Sequence, residues 1–341
     1  MKKEINRRGF LRATALASLS LGLASNNLTA GNTLVAGGPQ KGKRVGIIGL
    51  DTSHAVAFTK SLNAEQPEAR YLHYRVVAAY PQGSKDIESA TKRVPQYTQE
   101  VQQLGVEIVD SIEDLLTKVD VVLLESNDGR VHLEQARPVI EAGKTLFIDK
   151  PIAASYEDAK AIFDLAGQRQ VPVFSSSSLR FVDKVQEIRG GSLGQILGAD
   201  TYSPAHLEET HPDFYWYGIH GVEMLFTLMG TGCRSVSRTH TEGTDVVVGT
   251  WDDGRIGTFR GTRVGKSDYG GTAFGEKGNS DLGKFAGYDA LLEEIVKFFD
   301  SGVAPVPQAE TLEICAFIQA ADESKKQGGK PVQLITNKTK R

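Results

Sequence analysis

The chain has 341 residues, with 39 Lys and Arg against 42 Asp and Glu and a net charge of -3. Its 40% hydrophobic content gives room for two globular domains, and the absence of any basic cluster argues against a nucleic-acid partner. The two cysteines, Cys233 and Cys315, each sit in an apolar context, so buried free thiols are expected rather than a disulfide.

Arg7-Arg8-Gly9-Phe10-Leu11 precedes a small-residue apolar stretch from Ala13 to Ala24. A charged start, a twin arginine and a modest apolar segment read as a twin-arginine export signal over residues 1–30. The stretch falls short of the roughly twenty residues that span a bilayer. The expected location is the periplasm or another exported compartment, with no stable membrane span after processing. Both Ala24 and Ala30 offer a cleavage point. Removing the segment takes away Lys2, Lys3, Arg7, Arg8 and Arg12 but only Glu4 on the acidic side, which leaves a charge of about -7. Twin-arginine substrates cross folded, which suits a protein loaded with a cofactor before export.

A Gly-, Pro- and Lys-rich linker covers 31–43. Residues 44–50 then form a continuous apolar run, the mark of a strand buried on both faces. In chain order the pattern predicts a helix over 53–62 and a strand over 74–80. A helix over 97–104, a strand over 106–109 and a helix over 112–117 capped by Ser111 follow. Next come a strand over 120–124, a helix over 132–142, a strand over 145–148, a helix over 156–169 and a strand over 171–174. Alternation at this spacing implies an α/β Rossmann-like, doubly wound parallel sheet over 44–175. Beyond it, helices are expected over 182–189 and 218–229, and strands over 196–202, 235–240, 244–251 and 256–262. Asp252-Asp253-Gly254 makes a hairpin turn. Amphipathic helices over 289–300 and 312–325 finish the chain, and they are candidates to pack back on the first domain. Residues 176–336 thus read as an α+β domain with an open, mainly antiparallel sheet.

Lys150 carries the most chemistry. It lies between Asp149 and Pro151 at the carboxyl end of an apolar strand, where open α/β sheets place ligands. His220 lies in the amphipathic stretch Trp216-Tyr217-Gly218-Ile219-His220. A lysine and a histidine converging on one cleft suit proton transfer. His206, Glu209, His211, His220 and Glu223 are a dense cluster of ligand types, but their spacing matches no metal signature and no metal is expected. The neighbouring aromatics suit sugar stacking.

Leu124-Glu125-Ser126-Asn127, His132, Ala142-Gly143-Lys144, Asp149-Lys150-Pro151, Gly218-Ile219-His220 and Phe274-Gly275-Glu276-Lys277-Gly278 occur in an order that resembles the Gfo/Idh/MocA family. These are the sugar oxidoreductases related to glucose–fructose oxidoreductase and inositol dehydrogenase. The resemblance covers about 43–336. It implies an NAD(P)-dependent enzyme acting on a sugar, cyclitol or sugar derivative by hydride transfer, assembled as a homo-oligomer. By resemblance Lys150 and His220 are catalytic. Gly49, Asp51, Thr52, Ser53, His54, Ser126, Asn127, His132, Asp149 and Lys150 would bind the cofactor, and Tyr215, Trp216, Tyr217 and His220 the substrate.

Three positions depart from the family pattern. Asp51 and His54 replace the second and third glycines of the Rossmann fingerprint, and a carboxylate facing a pyrophosphate is repulsive. Asp51-Thr52-Ser53 is expected instead to cap the first helix, with His54 either a phosphate-facing donor or a packed residue. Tyr80-Pro81 stands where an acid usually binds the adenosine ribose, so the cofactor is NAD, or NADP if Lys85 or Arg93 meets a 2′-phosphate, or is lost. Trp216 stands where an aspartate is common. The degenerate loop keeps two alternatives open: acid–base chemistry without redox (elimination, hydration or epimerisation) on an oxidised sugar, or a carbohydrate-binding module.

Overall fold

The computed structural model describes residues 42–266 and 268–335. The signal expected over 1–30 and most of the linker lie outside the described residues. The first sheet is built from β1 (Arg44–Ile48), β2 (Arg75–Tyr80), β3 (Glu107–Ile108), β4 (Val121–Leu124), β5 (Thr145–Asp149) and β6 (Val173–Ser176). Their order is β3-β2-β1-β4-β5-β6 and every pairing is parallel. Strands covered on both faces must be apolar throughout, and β4 is buried at all four positions. The order reverses beside β1, so the crevice for a ligand opens between the carboxyl ends of β1 and β4.

The helices around this sheet are α1 (Ser53–Leu62), the one-turn α2 (Glu88–Thr91), α3 (Val94–Gln103), α4 (Ile112–Lys118), α5 (His132–Glu141) and α6 (Tyr156–Arg169). Ser111 and Ser155 cap α4 and α6 by accepting the backbone N–H three residues on. After a 3-10 turn at Ser178–Phe181 the chain makes α7 (Asp183–Arg189), β7 (Ile196–Pro204), the one-turn α8 (Asp213–Trp216) and α9 (Ile219–Met229). Strands β8 (Cys233–His240), β9 (Thr244–Trp251), β10 (Ile256–Thr262), β11 (Gly270–Gly275) and β12 (Gly278–Asp281) follow, then α10 (Asp289–Ser301), α11 (Gln308–Lys326) and β13 (Val332–Gln333). The second sheet runs β12-β11-β7-β10-β9-β8-β13, antiparallel except for the β7–β10 pair.

Both expected folds are therefore present. The second sheet is larger than expected, because β11 and β12 are glycine-rich and polar and carry no alternation. One of its faces is covered: every residue of α9 is buried. Leu197, Tyr202 and Ile256 remain exposed. Cys233 and Cys315 are buried free thiols. No described helix is long and apolar enough to cross a membrane.

The second lobe returns to the first through α10. Leu291, Leu292, Ile295, Val296, Phe298 and Phe299 pack among Val45, Ile47, Phe58, Phe147 and Phe174 of the first sheet and its helices. Phe298 meets Phe174 edge-on at 4.6 Å. Each such buried side chain contributes about 1.5–3 kcal/mol. The same return brings Tyr288 against the ring of His54 at 4.3 Å, so the crevice is walled by both lobes.

Candidate active site

The loop after β1 sets the site. Gly49 has φ +88°, and a Cβ there would stand 2.5 Å from the backbone nitrogen of Ser126, so only glycine permits this approach of the β1 and β4 ends. Thr52 caps α1 by accepting from the N–H of His54. Asp51 does not cap the helix, contrary to the sequence reading. Its carboxylate is fully buried and accepts from the N–H of Ser84 at 2.8 Å and of Asn127 at 2.8 Å. It thereby ties the loop after β2 to the loop after β4 across the top of β1. Burial raises its carboxyl above the ordinary range, against the pull of those two donors. Asp51→Ala strands two buried N–H groups, and a loss of about 2 kcal/mol is expected, read as a lowered melting temperature.

Two hollows flank this bridge. One, of about 190 Å³, is lined by Thr52, Ser53, His54, Asn127, Lys150 and His220, and also by Arg93, Trp216, Tyr217, Tyr269 and Tyr288. The other, of about 600 Å³, is lined by Tyr80, Gln82, Gly83, Lys85 and Arg137. Asn127 lines the first and Gly83 the second, and a Cβ on Gly83 would meet the Asp51 carboxylate at 2.2 Å. The carboxylate therefore sits between the two hollows.

Lys150 and His220 share the first hollow. Lys150 is 8% exposed, with Nζ 3.9 Å from Asp149. His220 Nδ1 lies 2.7 Å from Ser177 Oγ, which also accepts from the N–H of Leu179. The hydroxyl proton has no other acceptor among the described contacts, so the network assigns it to Nδ1 and leaves the ring hydrogen on Nε2. Burial, then the charges of Lys150 and His54, hold the imidazole well below its usual pKa, so it is neutral. Glu223, one turn on, accepts from Ser176 Oγ at 2.6 Å and Ser177 N at 2.8 Å and pairs with Arg180 at 2.9 Å. This chain of contacts fixes the serine that fixes His220.

Beneath the hollow lie Glu125 and Asp149, both fully buried. His54 Nδ1 is 3.1 Å from Asp149 Oδ1 and 3.9 Å from Glu125 Oε2. Burial and the Asp149 charge raise the Glu125 carboxyl well above its ordinary range. Burial acts the same way on Asp149, but the charges of His54 and Lys150 outweigh it and hold that carboxyl low.

Several expected residues do not reach either hollow. Tyr215 is buried, and its hydroxyl donates to the Cys315 carbonyl at 2.9 Å. Ser126 Oγ donates to Gln135 at 2.5 Å. His132 is fully buried, with its ring nitrogens 2.7 Å from the Ser126 carbonyl and 3.2 Å from that of Ile152. Ser126 and His132 brace the β4 loop rather than face a ligand. His206, Glu209, His211, His220 and Glu223 do not gather; the described group able to offer three ligand atoms is His54, Glu125 and Asp149. Sequence reasoning also missed Tyr269 and Tyr288, whose placement depends on β11 and on the return of α10.

Known proteins share this architecture. A probable dehydrogenase from Thermotoga maritima superposes with a TM-score of 0.68 at 20% identity, over 85% of this chain and 98% of that one. Scyllo-inositol dehydrogenase from Lactobacillus casei, solved with NAD(H) and scyllo-inositol, gives 0.70 at 16% identity over 86% and 99%. An uncharacterized oxidoreductase, YhhX of Escherichia coli, is 27% identical over 140 residues, which is 37% of this chain and 40% of YhhX. The chain thus aligns with about two fifths of the curated relative's length. Residues 43–177, which span the first lobe's parallel sheet, match the model of the Gfo/Idh/MocA oxidoreductase family, described as an NAD-binding Rossmann fold.

Proposed function

We propose that the protein is a nicotinamide-dinucleotide-dependent oxidoreductase acting on a sugar, cyclitol or sugar derivative. The observation that carries this is the meeting of Lys150 and His220 in one hollow beside the amino end of α1. The residues present fit a dinucleotide. The close approach at Gly49, the amino end of α1, and the hydroxyls of Thr52 and Ser53 would hold a pyrophosphate. Lys85 and Arg137 in the second hollow, which Asp110, Glu113, Glu134 and Glu141 also line, offer charge to the adenosine half, and no acid ends β2. The bound nicotinamide supplies the hydride chemistry. Lys150 takes or returns the hydroxyl proton of the substrate, and the neutral His220 donates through Nε2–H to the substrate oxygen. Trp216, Tyr217 and Tyr269 give the ring of a carbohydrate apolar faces and exclude water.

Heating the purified protein and weighing any released nucleotide tests this reading. NAD or NADP near one equivalent, or a rise in melting temperature on adding either, is expected. The absence of both release and shift would defeat it. The Asp51 bridge favours a second reading, acid–base chemistry without redox by the same Lys150 and His220, because the bridge stands between the hollows that a dinucleotide must span. A substrate-dependent change in nicotinamide absorbance separates the two. The twin-arginine pattern supports export to the periplasm, and the exposed Leu197, Tyr202 and Ile256 on the second sheet support a homo-oligomer.

A further inference from the structure

We infer that His54, Glu125 and Asp149 hold a divalent transition-metal ion at the floor of the cavity. The sequence pattern gave no metal signature in the cluster from His206 to Glu223, and His54, Glu125 and Asp149 are far apart in the chain and belong to three different strand ends. The sheet order brings them together: β1, β4 and β5 are successive neighbours. His54 is the second residue of the helix after β1, Glu125 directly follows β4, and Asp149 ends β5. One nitrogen and two carboxylate oxygens lie within 4.8 Å of one another.

The pairing of these groups is incomplete. His54 Nδ1, both oxygens of Glu125 and both oxygens of Asp149 are buried without a hydrogen bond of acceptable geometry. Buried carboxylates ordinarily collect two or three donors, as Asp51 does nearby, because an unpaired buried charge is costly. The described cationic partners near this floor are Lys150, 3.9 Å from Asp149, and the His54 ring when protonated, 3.1 Å from Asp149 and 3.9 Å from Glu125. Something of positive charge belongs between the three.

The geometry suits an ion of that kind. Bonds of about 2.0–2.2 Å at tetrahedral angles place ligand atoms roughly 3.4 Å apart, and the His54 nitrogen lies 3.1 Å and 3.9 Å from the two carboxylates. An imidazole with two carboxylates selects manganese, iron or zinc in the divalent state over softer or purely oxygen-seeking ions. The competing arrangement is a proton: a neutral Glu125 lying against an ionised Asp149 needs no metal.

Elemental analysis of the full chain, purified without chelator, separates the two. Close to one equivalent of manganese, iron or zinc per chain is expected, falling below about a tenth in Glu125→Gln. Chelator treatment is expected to lower the melting temperature, and adding manganese or zinc chloride to restore it, with no such response in Glu125→Gln. Since glutamine mimics a neutral acid, the variant folds in either case. Trace metal in the wild type with no thermal response to manganese, iron(II) or zinc would overturn the inference. So would equal metal content in wild type and variant. Neither readout depends on nucleotide binding, so this test and that of the oxidoreductase reading fail separately.

Discussion

Lys150→Met is expected to lower kcat by about 10²–10⁴-fold, the range that positioned proton transfer contributes, while the affinity for NAD or NADP changes little. Methionine keeps the length and apolar stem of the lysine and removes only the amine, so the buried neighbours Ile148 and Ile152 keep their packing. Asp149 loses a cation at 3.9 Å but keeps His54 at 3.1 Å, which limits the damage to stability. Lys150→Arg is the informative companion. It retains the positive charge but cannot give up its proton near neutral pH, and its fork does not fit the space of an ammonium. Both variants are expected to be inactive if the amine moves a proton. Arginine retaining most of the turnover would show that charge alone is needed. Steady-state rates with the sugar or cyclitol giving the best turnover, alongside dinucleotide titration, supply the readout.

Arg180→Met is expected to destabilise the fold by about 3–5 kcal/mol, the usual result of stranding one side of a buried ion pair. Arg180 is 1% exposed and touches Glu223 at 2.9 Å and Glu310 at 2.6 Å. It joins the 3-10 turn after β6 to α9 and α11, so its loss leaves two carboxylates uncompensated between the lobes. A fall in melting temperature on the order of 10 °C follows for a chain of this size. Adding Glu223→Gln to Arg180→Met removes one stranded charge and is expected to recover part of the loss. Because Glu223 also receives Ser176 and Ser177, and Ser177 holds His220, catalytic rate falls with stability here. Denaturant unfolding of the single and double variants checks the stability order.

Much of this architecture was legible in the sequence, and the exceptions have physical causes. The helix at Tyr156–Arg169 was legible with its final bounds, and Ser155 caps it locally by accepting from the Asp158 N–H. β11 and β12 escaped notice because Gly270, Gly271, Gly275 and Gly278 leave no hydrophobic period, and their extension is imposed by pairing with β7. Lys150 stood out because a strand end and a proline flank it. Asp51 was misread as a helix cap because its partners, Ser84 and Asn127, are remote in sequence and adjacent only in the folded crevice. Tyr215 was placed with Trp216 and Tyr217, yet a one-turn helix sends neighbours to opposite sides, and the choice of side is made by packing against α11. Glu125 entered as part of a family motif, and only the order of three strands revealed what it faces.

The return of α10 to the first sheet has a consequence for biosynthesis. A ribosome that has released the whole nucleotide-type lobe still withholds Leu291, Ile295, Phe298 and Phe299, the side chains that seal the surface holding Phe58, Phe147 and Phe174. That lobe waits, greasy on one flank, until nearly all of the polypeptide has emerged, so maturation of the two halves is a single late event.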